Sequence, residues 1–301
     1  LIMRFDDDLI DRPADDFGTA RPAVSPRRRP AAPRRPEVHR YRAVWISDFH
    51  LGTRGCRAER LLDFLTRVHC DTLYLVGDVI DAWALKKAWY WPASHTDVIR
   101  AILDLHRERG TRVVYVPGNH DEVLRDYLPI DLSGVEVCNE CIHETATGKR
   151  YLVIHGDEFD AVCTQARWLA VLGDVAYRGV IRANSYFNTA RRRLGYPYWS
   201  LSAFLKYQVK NAVAFIGHFE EALADEARRR GVDGIICGHI HTPSRRTIEG
   251  IDYCNDGDWV ESCTALTEDH AGEMQILYWG REAGVASAGT GEAEPGLAVS
   301  A

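Results

Sequence analysis

Apolar residues recur along the chain in runs of strand length, and each run stops abruptly at carboxylates, amides or imidazoles. "RAVWISDFH" (42–50), "TLYLVGDVID" (72–81) and "TRVVYVPGNHD" (111–121) are the first three such runs. Between them the spacing changes to that of amphipathic helices. "CRAERLLDFLTRV" places Leu61, Leu62, Leu65 and Val68 on one face, and "HTDVIRAILDLHRERG" does so with Val98, Ile102 and Leu105 before stopping at Gly110. Strand, helix, strand, helix, strand predicts an α/β fold with parallel pairing and right-handed crossovers. "RYLVIHGDEFD" (150–160) and "VDGIICGHIH" (232–241) add two strands with the same kind of ending. The late runs "RRTIEGIDYCNDGDWV" and "EMQILYW" predict a second sheet rich in hairpins.

The pattern breaks in three places. Residues 1–40 include "RPAVSPRRRPAAPRRP", which supplies no core face, and are expected to form a disordered leader. From 161 to 230 the chain turns helical, which reads as a cap inserted into the main domain of residues 41–280. Its plainer alternative is a bundle that only buttresses the core. Residues 281–301 are poor in bulky side chains and expected to be a flexible tail.

Composition narrows the function classes. At 301 residues and a net charge of −6, the chain has no global reason to bind nucleic acid. No apolar run is long enough to cross a bilayer, and no signal peptide is evident, so a cytoplasmic location is expected. Of eight cysteines only Cys138 and Cys141 form a CxxC; no second pair completes a zinc site, and a redox role is the minority reading beside small buried thiols. Nothing in the sequence bears on oligomeric state.

The run ends carry, in order, Asp48 with His50, then Asp78, then Asn119 with His120, then His155, then His239 with His241. Singly, each has a bland account: Asp48 as a helix cap, Asp78 as a turn former, GNHD as a loop, His-x-His as a solvated turn. Parallel strands, however, end on one edge, so a shared site is the better joint account. A mixed nitrogen and oxygen set suits Mn, Fe or Zn better than Mg or Ca. Alternation along an extended chain is expected to put His239 and His241 on the same side, with Ile240 pointing away.

The blocks "DFH", "GDVID", "GNHD", "HGD" and "GHIH" resemble, in order, the signature of the calcineurin-like metallophosphoesterases. The resemblance implies a four-layer α-β-β-α sandwich with a helical cap and two divalent metals at the sheet edge. By that likeness Asp48, His50, Asp78 and His241 hold one metal. Asp78, Asn119, His155 and His239 hold the other, with Asp78 bridging. His120 is then the group that stabilises the phosphoryl charge or protonates the leaving oxygen, with Asp121 orienting its ring, and a metal-held hydroxide is the expected nucleophile.

Within the superfamily, the insertion between "HGDEFD" and "GHIH" and the late "YCNDGDWVESCTAL" look like the UDP-2,3-diacylglucosamine hydrolases. That likeness implies a phosphorylated lipid or nucleotide-sugar substrate, hydrolysis of its phosphoanhydride or phosphoester bond, and a peripheral seat on the anionic inner face of the cytoplasmic membrane. Trp168, Leu169, Leu172, Tyr198, Trp199, Phe204, Val213 and Phe215 are the candidate apolar groove, with Lys206, Lys210 and Asp160 as substrate contacts. The enzymes proven for this lipid step carry Arg where this chain has His120, which keeps a phosphomonoesterase or phosphodiesterase of another substrate as the alternative. A non-catalytic metal-binding scaffold ranks far behind, since no ligand of the pattern is missing.

Overall fold

The computed structural model describes residues 38–159 and 201–280, with the backbone alone for 201–212. Residues 1–37 of the expected leader, the expected tail, most of the expected cap and Asp160 lie outside the described residues. So do Trp168, Leu169, Leu172, Tyr198 and Trp199.

Strand β1 (His39–Ile46) begins two residues ahead of the boundary expected from the sequence. Helix α1 (Ala58–Arg67) leads directly into β2 (Val68–Val76), so Val68 opens a strand rather than closing the helix. The helix buries Ala58, Leu61, Phe64 and Leu65, and Leu62 is only partly covered. Helices α2 (Ala82–Lys87) and α3 (Ala93–Arg109) precede β3 (Arg112–Val116). Gly110 ends α3 in the left-handed conformation, φ 70°, with its N–H bonded to the carbonyls of His106 and Leu105. Then come β4 (Ile130–Asp131), β5 (Val135–Val137), β6 (Cys141–Glu144), β7 (Arg150–Val153) and helix α4 (Leu201–Arg230). Strands β8 (Gly234–Cys237), β9 (Ser244–Ile248), β10 (Ile251–Asn255), β11 (Thr264–Glu268) and β12 (Met274–Tyr278) complete the described chain.

Two sheets result, one in the order β12-β11-β1-β2-β3-β5-β4 and the other β6-β7-β8-β10-β9. Strands β1, β2, β3 and β5 run parallel, as do β7, β8 and β10. The late hairpins do not share one sheet, contrary to the sequence expectation. The β9–β10 pair extends the second sheet, whereas β11 pairs with β1 and carries β12 onto the first. All five residues of β11 are buried there, so the edge of β1 is covered rather than exposed.

The apolar runs are continuous because both strand faces are buried. Alternate residues go to different layers: Val44, Ile46, Leu73, Leu75 and Val113 meet α1 and α3, while Ala43, Trp45, Tyr74, Val76 and Val114 face the other sheet. The second sheet returns Tyr151, Val153, Ile236 and Cys254 to that inter-sheet core. On its far side Leu152, Ile235 and Tyr253 pack against Phe219, Leu223 and Ala227 of α4. The order is helix, sheet, sheet, helix, the four-layer α/β sandwich. The C-terminal half of α4 is therefore a buttress of the second sheet. Val213 is exposed, and Phe215 is partly buried against the α4 layer.

Candidate metal centre

The site is assembled where parallel strands of both sheets run out. Past β1 and β2 the backbone keeps pairing through Asp48 N–H to Gly77 O (3.0 Å) and His50 N–H to Asp78 O (2.9 Å). Past β8, Gly238 N–H reaches His155 O at 3.2 Å, and His239 N–H donates to Asp48 Oδ2 at 2.9 Å, tying one sheet's edge to the other's. Among the described residues, five of the eight non-glycine residues with positive φ are Asp48, His50, Asp78, His239 and His241, at 51° to 69°. Strained backbone of this kind persists only where its surroundings over-determine it, and it gathers at functional sites.

The two histidines of "GHIH" therefore do not work by extended alternation. Both are left-handed, at φ 69° and 53°, and Ile240 N–H closes a tight turn onto Gly238 O at 2.8 Å. Asn255 Nδ2 holds the same carbonyl at 2.6 Å. The turn aims the two rings apart. His241 groups with Asp48 and His50, while His239 groups with Asp78 and His155, the donor atoms of each set lying within 4.8 Å of one another. A third set, His50, Asp78 and His120, overlaps both.

Distances give the two halves. His241 Nε2 lies 2.9 Å from Asp48 Oδ1 and 3.4 Å from His50 Nε2. Asp78 stands between the halves: its Oδ2 is 3.7 Å from His50 Nε2 and its Oδ1 is 3.5 Å from His155 Nε2. Asn119 presents a buried amide of which neither Oδ1 nor Nδ2 has a hydrogen-bond partner among the described residues, and His155 Nε2 likewise makes no hydrogen bond. Buried polar atoms are rarely left so. An orphaned His155 nitrogen 3.5 Å from Asp78, with a buried unpartnered amide next to His120, whose backbone N–H donates to Asp78 Oδ1, fits divalent cations, which would take the lone pairs that the protein leaves unsatisfied.

Electrostatics agree with that reading. Burial pushes Asp48 upward, but the charge and hydrogen bond of His241, with His50 beside them, outweigh it and hold the carboxyl well below its usual range. Asp78 is likewise lowered by His155 against its own burial. Burial disfavours charge on His50, yet Asp48 and Asp81 raise it to about 10; Asp78 does the same for His155. The cluster thus holds protons where cations would sit.

Ligand rings are aimed by a surrounding layer of contacts. His155 Nδ1–H donates to Val76 O at 2.7 Å, leaving Nε2 to face Asp78. Asp81 lies 3.2 Å from His50 Nδ1 by one oxygen and 3.0 Å from His120 Nδ1 by the other. It is Asp81, not Asp121, that orients His120. Asp121 instead accepts from Val79 N–H (2.7 Å), Gly118 N–H (2.6 Å) and the Tyr115 hydroxyl, all away from the His120 ring. The GNHD loop folds back, so its last carboxylate clamps the strand-end loops together. Trp83 lies over His120, centroids 4.4 Å apart.

Other contributors carry no signature in the sequence. Ser47 Oγ is 2.6 Å from both Asp48 Oδ2 and Asp256 Oδ1. One hydroxyl proton cannot serve two carboxylates; burial pushes Asp256 well above its usual range, and a neutral Asp256 resolves the count. Arg125 holds Asp157 bidentately at 2.7 and 2.9 Å and Pro117 O at 2.8 Å, joining the loops of Asn119 and His155. Asp81 differs in having a local signal, an aspartate three residues before Ala84 at the start of a helix, and it does cap α2 by accepting from Ala84 N–H at 2.7 Å. Lys206 and Lys210 fall within α4 by backbone, where their i, i+4 spacing shares a helix face.

A fold of this layering, with paired aspartates and histidines at the strand ends, defines a metallophosphoesterase. The family model described as "Calcineurin-like phosphoesterase" matches residues 41–243, and the chain belongs to that family. Among curated relatives, a UDP-2,3-diacylglucosamine hydrolase of Xanthomonas oryzae pv. oryzae is 27% identical over 254 residues, covering 76% of this chain and 96% of that protein. Its counterpart in Xanthomonas campestris pv. campestris is 28% identical over the same lengths. A UDP-2,3-diacylglucosamine hydrolase of Porphyromonas gingivalis is 31% identical over 126 residues, 40% of this chain and 47% of that one. Among the described residues, no helix is long and apolar enough to cross a membrane.

Proposed function

We propose that the chain is a two-metal phosphohydrolase that splits the phosphoanhydride of a UDP-2,3-diacylglucosamine-like substrate. The observation that carries the reading is Asp78, whose two oxygens face separate donor sets at 3.7 and 3.5 Å. Asp48, His50, Asp78 and His241 would hold one cation and Asp78, Asn119, His155 and His239 the other. Bound cations, Mn being the best match to the mixed donors, supply Lewis acidity toward phosphate oxygens and lower the pKa of water.

The chain's own residues do the rest. Asp81 fixes the His120 ring through Nδ1, so that Nε2, 3.9 Å from Asp78 Oδ2, points into the site. There it faces the phosphoryl or leaving oxygen, to which it donates when the ring carries a proton on both nitrogens. The neutral amide of Asn119 adds an oxygen donor without adding negative charge. The share of the relatives' length that is matched supports the substrate class. His120 supports a second reading, in which the same site cleaves phosphodiesters that lack a nucleotide-sugar.

Turnover of UDP-2,3-diacylglucosamine with Mn present, read as UMP release, tests the first reading against a panel including bis-p-nitrophenyl phosphate. UMP is expected, with loss in Asp78→Ala. Full turnover by Asp78→Ala or by chelated protein sinks the two-metal reading. Diester cleavage without UMP release moves the substrate to the second.

A further inference from the structure

Helix α2 is tied to the metal centre at its first turn. Asp81 caps it through Ala84 N–H and faces the His120 ring, and Ala82 N–H donates to His120 O at 3.0 Å. Leu85 packs inward, since a Cβ on Gly52 would lie 2.8 Å from Leu85 Cγ. At about 100° per residue, Trp83 projects from close to the opposite side, with Lys86 and Lys87 one turn on and flanking it. All three side chains are exposed, Trp83 to 44%. Among the described residues no carboxylate pairs with either lysine.

An exposed tryptophan by itself is ordinary. This one is fixed by its contacts. Its ring lies over that of His120, centroids 4.4 Å apart and planes at 37°, and His50 meets the same imidazole edge-on at 4.7 Å. His120 Nε2 is 3.9 Å from Asp78 Oδ2, so the indole stands one ring away from the donors that face the phosphoryl group. Trp45 and Trp259, by comparison, are fully buried in the core. An indole held against the site on one side and open on the other offers a stacking surface, and the ammonium groups beside it carry the sign of charge that attracts phosphates.

We propose that Trp83 is the platform on which the base of a nucleotide substrate stacks, with Lys86 and Lys87 drawing its phosphates toward that edge of the site. Helix α2 then selects phosphoesters that carry an aromatic ring, and Trp83 is a specificity-determining residue. This assignment rests on the proposed function for the identity of the nucleotide and on the geometry of α2 for the stacking. Base stacking on an aromatic side chain tolerates any base, so the uracil of a uridine nucleotide is accepted without a hydrogen-bonding pocket of its own.

Binding of UMP and of ribose 5-phosphate to the Mn-loaded full chain, read by isothermal titration calorimetry, isolates the part played by the base. UMP is expected to bind about tenfold more tightly than ribose 5-phosphate. Trp83→Leu should bring that ratio close to one with ribose 5-phosphate still bound, and Trp83→Phe should keep most of it. Both ligands are measured on the same protein, so a loss of folding moves the two affinities together and not their ratio. Replacing Lys86 and Lys87 together with alanine should weaken both ligands alike, by a factor that shrinks as salt is added. A ratio near one in the unsubstituted chain, as when another part of the chain covers the indole, overturns the proposal, and so does a ratio that survives Trp83→Leu. UMP release from UDP-2,3-diacylglucosamine without a preference for UMP over ribose 5-phosphate removes the platform and keeps the hydrolase. A preference that Trp83→Leu abolishes, without that turnover, keeps the platform and removes the substrate.

Discussion

Asp81 shows how one carboxylate serves two rings. Its oxygens face His50 at 3.2 Å and His120 at 3.0 Å, and it also caps α2 through Ala84 N–H. Burial works against its charge, but the two histidines and that backbone bond hold the carboxyl far below its usual range. Replacing it with asparagine keeps the cap and the shape but removes the charge that fixes both imidazole tautomers. By the usual cost of losing such a partner, Asp81→Asn should lower kcat about 10- to 100-fold while leaving KM nearly unchanged. An Asp81→Asn enzyme with unchanged kcat and unchanged metal content would show that the rings are fixed by packing instead. Asp121, by contrast, should act on stability, since its partners are backbone amides and Tyr115. The two aspartates look alike in sequence. What separates them is the fold-back of the GNHD loop, which no local pattern records.

At the scale of elements, the strands and their chemistry were legible because burial on both faces writes continuous apolar runs, and because metal donors at strand ends are polar where a core strand should simply turn. Six of the seven donors the sequence singled out, Asp48, His50, Asp78, His155, His239 and His241, fall into the close donor sets, while Asn119 is a buried amide, unpartnered among the described residues, in the neighbouring loop. Less legible was the backbone that makes them meet. Left-handed φ at Asp48, His50, Asp78, His239 and His241 has no signature in residues that normally avoid it. Nor did the hairpins announce their sheet, because β9–β10 and β11–β12 carry similar patterns and differ only in which edge they cover. Glycine is the visible trace of the crowding. A Cβ on Gly118 would lie against Asp78 Oδ1, 2.7 Å from the Asp78 nitrogen and 2.7 Å from His155 Cδ2. Gly118→Ala should therefore abolish metal uptake at the half that holds Asn119 and His155, read by equilibrium dialysis, with circular dichroism unchanged. Two cations per chain bound as tightly as in the unsubstituted protein would contradict the crowding.

For the whole molecule, the same groups set how stability and metal affinity follow pH. In the metal-free protein His50 and His155 are raised from 6.5 to about 10, so their pairing contributes fully below 6.5 and is lost as pH climbs toward 10. Asp48 and Asp78 are lowered from 3.8, so theirs is present above 3.8 and lost as pH falls beyond it. The site is thus best satisfied by its own protons on the acid side of neutrality. Cations need those histidines unprotonated, so binding must release protons, and affinity must rise with pH. Thermal melts with and without Mn, from about pH 6 to about pH 8, should show the metal-dependent rise in Tm growing at each step, because ligand stabilisation follows affinity. Chelated protein should trend the other way across the same range, losing stability because the unfolded chain's histidines deprotonate near 6.5 while the folded ones keep their protons. The opposite slopes are the informative part: a structural core alone would move both curves together, whereas an acid–base cluster shared between protons and cations drives them apart. A metal-dependent gain in Tm that shrinks with rising pH would mean that protons are not displaced, and that these imidazoles are not the ligands.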